Sequence, residues 1–290
     1  MSNSSQNSTN LTAKPLMTIS GHEGPIRGVV YLPGGERVVS WSDDNTVTVR
    51  IWNVEKGEQE GTSMMHKGGV RALAVTKDGK RILSGGADNR ITMWDVETHE
   101  RIEEWAGHTG DIRCIALSPD DRLAATGGMV SAIQVYDVDS GKLVLGPIKC
   151  HESYVHCVLW SLDGRQLFSA SADRTIRCWN SKTGKSIGQP WTGHTGIVWS
   201  LSLSPDGKKL ASASLDNTIR FWDACSGDPI AGHPLKLPVS AVTFSPSGEF
   251  VASGGVDQKV SIWRVPWWEE SQKQVITTFI HLPMLVLDPS

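Results

Sequence analysis

Six histidines and six aromatic residues keep step through this chain, and that shared phase limits its fold more than any other feature. The histidines are His22, His66, His108, His151, His194 and His233. The aromatics are Trp52, Trp94, Tyr136, Trp179, Trp222 and Trp263. Four of the pairs are 28 residues apart, and the first and last are 30 apart. Repetition at about forty residues means one small unit stacked on copies of itself, since a single copy cannot bury its own apolar face.

The unit is clearest at residues 193–223, GHTGIVWSLSLSPDGKKLASASLDNTIRFWD. Ile197, Trp199, Leu201 and Leu203 alternate with the period of a half-buried strand. Ser204, Pro205, Asp206 and Gly207 then make a turn: Pro presets φ, Asp bonds to the backbone ahead, and Gly accepts positive φ. A second strand from Lys209 to Ser214 leads through the Asp216-Asn217 turn to a third, Thr218 to Trp222. Three strands leave edges exposed, so each unit needs neighbours, and an outer strand is expected near Thr62, Ile102, Leu143, Ile187 and Ile230. The extra residues of the end units fall at 45–51 and 235–238.

With Gly-His opening and Trp-Asp closing the unit, the chain resembles the WD-repeat (WD40) β-propeller family over roughly residues 15–282, and its repeats are similar to those of fungal WD-repeat proteins. The resemblance implies an all-β β-propeller of six blades with four antiparallel strands each, or a seven-bladed type lacking one blade. The expected divisions are a disordered tail at 1–13, the propeller at 14–282 and a C-terminal tail at 283–290. Repeats fall near 22–52, 66–94, 108–136, 151–179, 194–222 and 233–263. The resemblance also implies that a strand from Pro15 to Ser20 completes the last blade and closes the ring. A second strand-like run, Val275 to Ile280, competes for the place beside Ser261 to Arg264. The apolar run from Pro283 to Leu287 is too short for a membrane span and reads as a loose tail, or as a docking segment or truncated seventh blade.

Composition excludes several functions. With 28 basic and 31 acidic side chains, there is no electrostatic footprint for nucleic acid or anionic membrane. Five cysteines without a CxxC pair fit a reducing compartment and argue against a disulfide framework or structural zinc. Residues 1–10 are polar and do not read as a signal peptide, so an intracellular location, cytoplasmic or nuclear, is expected.

Each unit also carries a polar set: His66, Ser84, Asp88 and Trp94; His151, Ser169, Asp173 and Trp179; His194, Ser212, Asp216 and Trp222; His233, Ser253, Asp257 and Trp263. A Ser-His-Asp trio suggests hydrolysis, but a catalytic set occurs once and this one recurs. Indole donates, hydroxyl and neutral imidazole do both, and carboxylate accepts, so the four can form one satisfied structural chain. The first unit has His22, Ser40, Asp44 and Trp52, with Asp44 two residues out of place. The third has Val130 in place of Asp and Tyr136 in place of Trp. That blade is expected to be the least stable, with the fastest hydrogen exchange at 122–137. No metal, cofactor or enzymatic activity is expected.

In the family, partners bind the narrower face at the start of each first strand. The resemblance places Arg27, Arg71, Arg113, His156 and Trp199 there, with Tyr154 and Ile197 two residues before the last two. Arginine and aromatic side chains suit a peptide carrying acidic or phosphorylated residues beside an apolar anchor. The plainer alternative is that these arginines pair with nearby carboxylates such as Asp43 or Asp111 and solvate the face. Trp41, Trp105, Trp160, Trp191, Trp267 and Trp268 are expected mainly between blades. The sequence thus reads as a protein-interaction scaffold whose partners are other proteins, as a monomer or as a dimer through an unclosed blade. The alternative is a histone-tail, chromatin or phosphopeptide reader subunit, and neither reading expects direct nucleic-acid or membrane contact.

Overall fold

The computed structural model describes residues 17–24, 26–42, 48–106, 108–149, 151–230, 235–236, 239–255 and 260–267. Its secondary structure is all β. Five antiparallel sheets of four strands and one of three follow one another along the chain, each strand pairing with its sequence neighbour. Blade four shows the plan: Val155–Trp160, Gln166–Ser171, Ile176–Asn180 and Ser186–Trp191. Turns of the Ser-Pro-Asp-Gly kind join the first two strands: Ser204 Oγ donates to Asp206 Oδ1 at 2.6 Å, and Gly207 takes a φ of 72°.

Blades two to five each bury one apolar face on the blade before and the other on the blade after. Val39, Val49, Ile51 and Met64 of blade one pack on Val70, Ile82 and Trp94 of blade two. Equivalent clusters join blades two to three, three to four, four to five and five to six. Burying each such aliphatic side chain is worth about 1.5–3 kcal/mol, so these contacts, more than strand propensity, hold the blades in order. The tryptophans outside the repeat ends lie here: Trp105, Trp160 and Trp191 are buried, and Trp41 and Trp267 pack against the clusters. Trp268 lies outside the described residues.

The ends differ. Among the described residues no apolar cluster joins blade six to blade one. Ile26, Val29 and Tyr31 on the first strand of blade one are 55–63% exposed, and with Val38, Trp52 and Val54 they line a groove of about 600 Å³. Of the N-terminal strand expected from Pro15 to Ser20, residues 17–20 carry no strand assignment, and Pro15 and Leu16 lie outside the described residues. Those residues lie against blade one in the place where the outer strand of a preceding blade lies against the next. A Cβ on Gly57 would stand 2.7 Å from Met17 Sδ, just as one on Gly141 or Gly227 would meet Trp105 or Trp191 of the preceding blade. The outer strand expected at Ile230 is also shorter: Pro229 makes one bridge to Trp222, and the regular pairing is Leu235–Lys236 with Thr218 and Ile219. The tails at 1–13 and 283–290 and the run at 275–280 lie outside the described residues.

The third blade keeps the common plan despite its changed polar set. Its four strands are intact and it packs on both neighbours. Tyr136 is 2% exposed and stacks on Trp105 with ring centroids 6.4 Å apart. Loss of the Asp and Trp weakens its polar chain without opening its apolar faces.

Candidate protein-interaction surface

In blades four and five the polar chain is complete. Trp179 Nε1 donates to Ser169 Oγ at 3.0 Å, Ser169 Oγ meets His151 Nε2 at 2.8 Å, and His151 Nδ1 meets Asp173 Oδ2 at 2.7 Å. The corresponding distances through Trp222, Ser212, His194 and Asp216 are 2.8, 2.7 and 2.8 Å. A neutral imidazole satisfies this arrangement, accepting the serine hydroxyl at Nε2 and donating Nδ1–H to the carboxylate. Burial would raise the pKa of Asp173, but hydrogen bonds from His151 and Thr175 outweigh it and hold the carboxyl well below its usual range. At Asp216 burial is likewise outweighed, there by Thr218, the Thr195 N–H and His194. Burial in turn pushes the His194 pKa down against the pull of Asp216. Every member is buried and bonded, leaving no hydroxyl poised for attack.

The other blades keep parts of the chain. In blade one, His22 Nε2 and Trp52 Nε1 both lie 2.7 Å from Ser40 Oγ, while Asp44 lies outside the described residues. In blade two, Trp94 reaches Ser84 at 2.8 Å, but His66 Nδ1 turns to the Gly68 carbonyl at 3.0 Å and stands 3.4 Å from Asp88. In blade three, His108 meets Thr126 at 2.7 Å, and the Tyr136 hydroxyl donates to Gln134 instead. In blade six, Trp263 reaches Ser253 at 3.1 Å, while His233 and Asp257 lie outside the described residues. A fifth member escaped sequence reasoning: Thr175 and Thr218 donate to Asp173 and Asp216 at 2.7 and 2.6 Å. Its signal is visible as Asp-x-Thr, whose middle residue, Arg174 or Asn217, takes positive φ.

The rim residues share a backbone feature. In each of blades one to five the register between first and second strands slips by one residue near the strand start. The skipped residues are Arg27, Arg71, Arg113, His156 and Trp199. A β-bulge takes its extra residue out of the ladder and re-aims the side chain. Among the described residues blade six shows no such slip; there Ser240 precedes the first strand and its N–H donates to the Gly254 carbonyl.

Two contacts join neighbouring blades along this rim. The Arg113 guanidinium lies 5.9 Å from the Tyr154 ring centre, and the His156 and Trp199 rings are 4.3 Å apart. Burial, and then the Arg113 charge, push the His156 pKa down to about 4, so this imidazole is neutral near pH 7. Arg113 forms no ion pair among the described residues, and its Nε is buried without a hydrogen-bond partner. Tyr154 is exposed, whereas Ile197 is half-buried just before the first strand of blade five. Arg27 is exposed and Arg71 half-buried on their own blades. The contacts therefore gather Arg113, Tyr154, His156 and Trp199 into two adjoining pairs.

Repeated antiparallel sheets, stacked face to face, with a Trp-Ser-His chain inside blades one, four and five, define a six-bladed β-propeller. A family model described as "WD domain, G-beta repeat" matches residues 13–53, 57–95, 99–137, 142–180, 184–223 and 227–264. The chain belongs to the WD40 repeat family. Curated relatives include a "Ribosome biogenesis protein WDR12 homolog" of Drosophila erecta, 36% identical over 86 residues, which are 28% of this chain and 20% of that protein. The homolog of Drosophila sechellia is 35% identical over 96 residues, 30% of this chain and 23% of that protein. The match thus spans about a fifth of the length of these relatives. Among the described residues no helix is long and apolar enough to cross a membrane, and no three His, Cys, Asp or Glu side chains gather as metal ligands.

Proposed function

We propose that this chain is a non-catalytic protein-interaction platform that grips a partner segment on the rim formed by its first-strand bulges. The supporting observation is the coincidence of one recurrent backbone device with changing side chains: five blades aim a residue out of the ladder, and the residue is Arg, Arg, Arg, His and Trp in turn. A device kept while its cargo varies suits recognition better than folding. Arg113 offers a desolvated donor without a partner, and Tyr154 and Trp199 offer rigid apolar surface beside it. A partner carrying a carboxylate or phosphate next to an apolar anchor matches that pair of features. The Ser-His-Asp sets of blades four and five support a non-catalytic reading, because their hydroxyls are spent on indole and imidazole.

The test compares wild type with an Arg71→Glu, Arg113→Glu, Trp199→Ala variant in affinity purification from native lysate, after checking that both melt alike. Loss of a defined set of partners from the variant supports the rim, whereas identical partner sets would sink it. Ribosome assembly factors among the lost partners would carry to this chain the role stated in the relatives' name.

A further inference from the structure

Two devices close the junctions between neighbouring blades. Arg37 of blade one pairs with Glu97 of blade two at 3.0 Å, and Arg81 of blade two pairs with Asp139 of blade three at 2.8 Å. In addition, Trp105 of blade two stands over Gly141 of blade three, and Trp191 of blade four over Gly227 of blade five. Among the four junctions from blade one to blade five, the one between blades three and four has neither device. There Leu123 takes the place of Arg37 and Arg81, Lys182 that of Glu97 and Asp139, and Ile148 that of Trp105 and Trp191.

What remains is an open groove of about 550 Å³. Leu123, Val135, Val144, Leu145 and Trp160 line it, and Val144 is 52% exposed. Trp160 offers it an apolar face, because its Nε1 already donates to the Ala116 carbonyl at 3.0 Å. Asp120, Asp163 and Lys182 supply its charge. Ser118 and Ser161 donate to the two carboxylates at 2.6 Å, and the charges of Arg122 and Arg165 act on Asp120 and Asp163 in turn. Lys182 is exposed, and among the described residues no hydrogen bond or ion pair reaches its ammonium. The two aspartates are thus matched within their own turns, and Lys182 is the charge left over.

We propose that this groove docks an extended segment of a partner protein that places a large apolar side chain beside an aspartate or glutamate. The apolar side chain takes room that an indole fills at the neighbouring junctions, and its burial supplies most of the affinity. The carboxylate pairs with Lys182 and fixes the direction of the segment. The groove opens beside Ser118, where the strand Ile112–Leu117 ends, whereas the bulges lie at the starts of the first strands. Docking here therefore does not rest on the rim.

Leu123→Arg with Lys182→Glu rebuilds the ion pair of the two earlier junctions and closes the groove, and this variant is expected to melt no lower than the parent. A displayed library of random short peptides is selected on the full chain, and enriched peptides are measured against the parent, the closed variant and Arg113→Glu. Enriched peptides are expected to carry Leu, Phe or Trp next to Asp or Glu, and to bind the closed variant about tenfold or more weakly, with Arg113→Glu binding them as the parent does. Lys182→Glu alone is expected to turn the selection toward Lys or Arg beside the same apolar residue. No enrichment, equal binding to the closed variant, loss of every enriched peptide with Arg113→Glu, or an unchanged charge preference with Lys182→Glu would overturn the proposal. The unsubstituted chain gives a second reading. A saturating enriched peptide is expected to slow acetylation of Lys182 about tenfold and leave Lys142 unchanged, and equal slowing of both, or of neither, overturns the proposal.

Discussion

The first and third blades combine polar chain and apolar cover in opposite ways. Blade one keeps the Trp52, Ser40 and His22 chain at 2.7 Å spacings, yet Ile26, Val29 and Tyr31 on its first strand lie largely in solvent. Blade three has lost the tryptophan and the carboxylate, yet Ile112, Ile133 and Val135 are fully buried between its neighbours. The comparison teaches that a blade's firmness comes from the sheets that cover it. The polar chain fixes local turns and prevents unsatisfied buried groups, a smaller contribution once water is counted.

Substitutions at one repeat position test that ranking most strongly. Ile112 and Ile26 occupy the same place after their histidines but are 0% and 55% exposed. Ile112→Ala is expected to cost about 2–5 kcal/mol and Ile26→Ala less than about 1 kcal/mol in denaturant unfolding, and equal costs would break the comparison. A second contrast lies within the polar chains. Asp216→Ala leaves the buried His194 Nδ1–H and the Thr218 hydroxyl without their acceptor, a loss of about 2–3 kcal/mol. Asp88→Ala should cost about 1 kcal/mol or less, because His66 already donates to Gly68.

Acid provides a third, sharper test of blade three. Burial pushes the His108 pKa down to about 4. The unfolded chain, with an ordinary histidine pKa of about 6.5, therefore binds the proton first as pH falls, and stability is lost between those two values. At pH 5 the expected share is roughly 2 kcal/mol relative to neutral pH, and His108→Gln should flatten the pH dependence of unfolding by about that amount. An unchanged slope would show that His108 is not buried as described. The smallest effect is expected from restoring the missing indole: Tyr136→Trp should shift stability by less than about 1 kcal/mol, since Tyr136 already fills its site.

Much of the scaffold was legible because its residues keep phase. The spacing of His151, Ser169 and Trp179 marked the strands that carry them, and the turn at Ser204 to Gly207 carried its own chemistry. The bulges were not legible, since Arg, His and Trp share no composition that signals an extra residue. Their common cause is a register slip visible only once two strands are paired. Nor was the exposure of blades one and six, for Ile26 and Ile112 read alike and differ only in what covers them. The Asp-x-Thr contacts at Thr175 and Thr218 were legible in principle, as a hydroxyl spaced to reach back to the turn carboxylate.

Residue-resolved hydrogen exchange of the full chain tests the central claim most directly. Strands Leu123–Gly128 and Ala132–Asp137 of blade three are expected to be protected as strongly as their counterparts in blades four and five, with Ile26–Tyr31 of blade one the fastest of the strands described. Fast exchange across 122–137 alongside slow exchange in Ile26–Tyr31 would contradict the account. It would place firmness in the polar chain rather than in the neighbouring sheets.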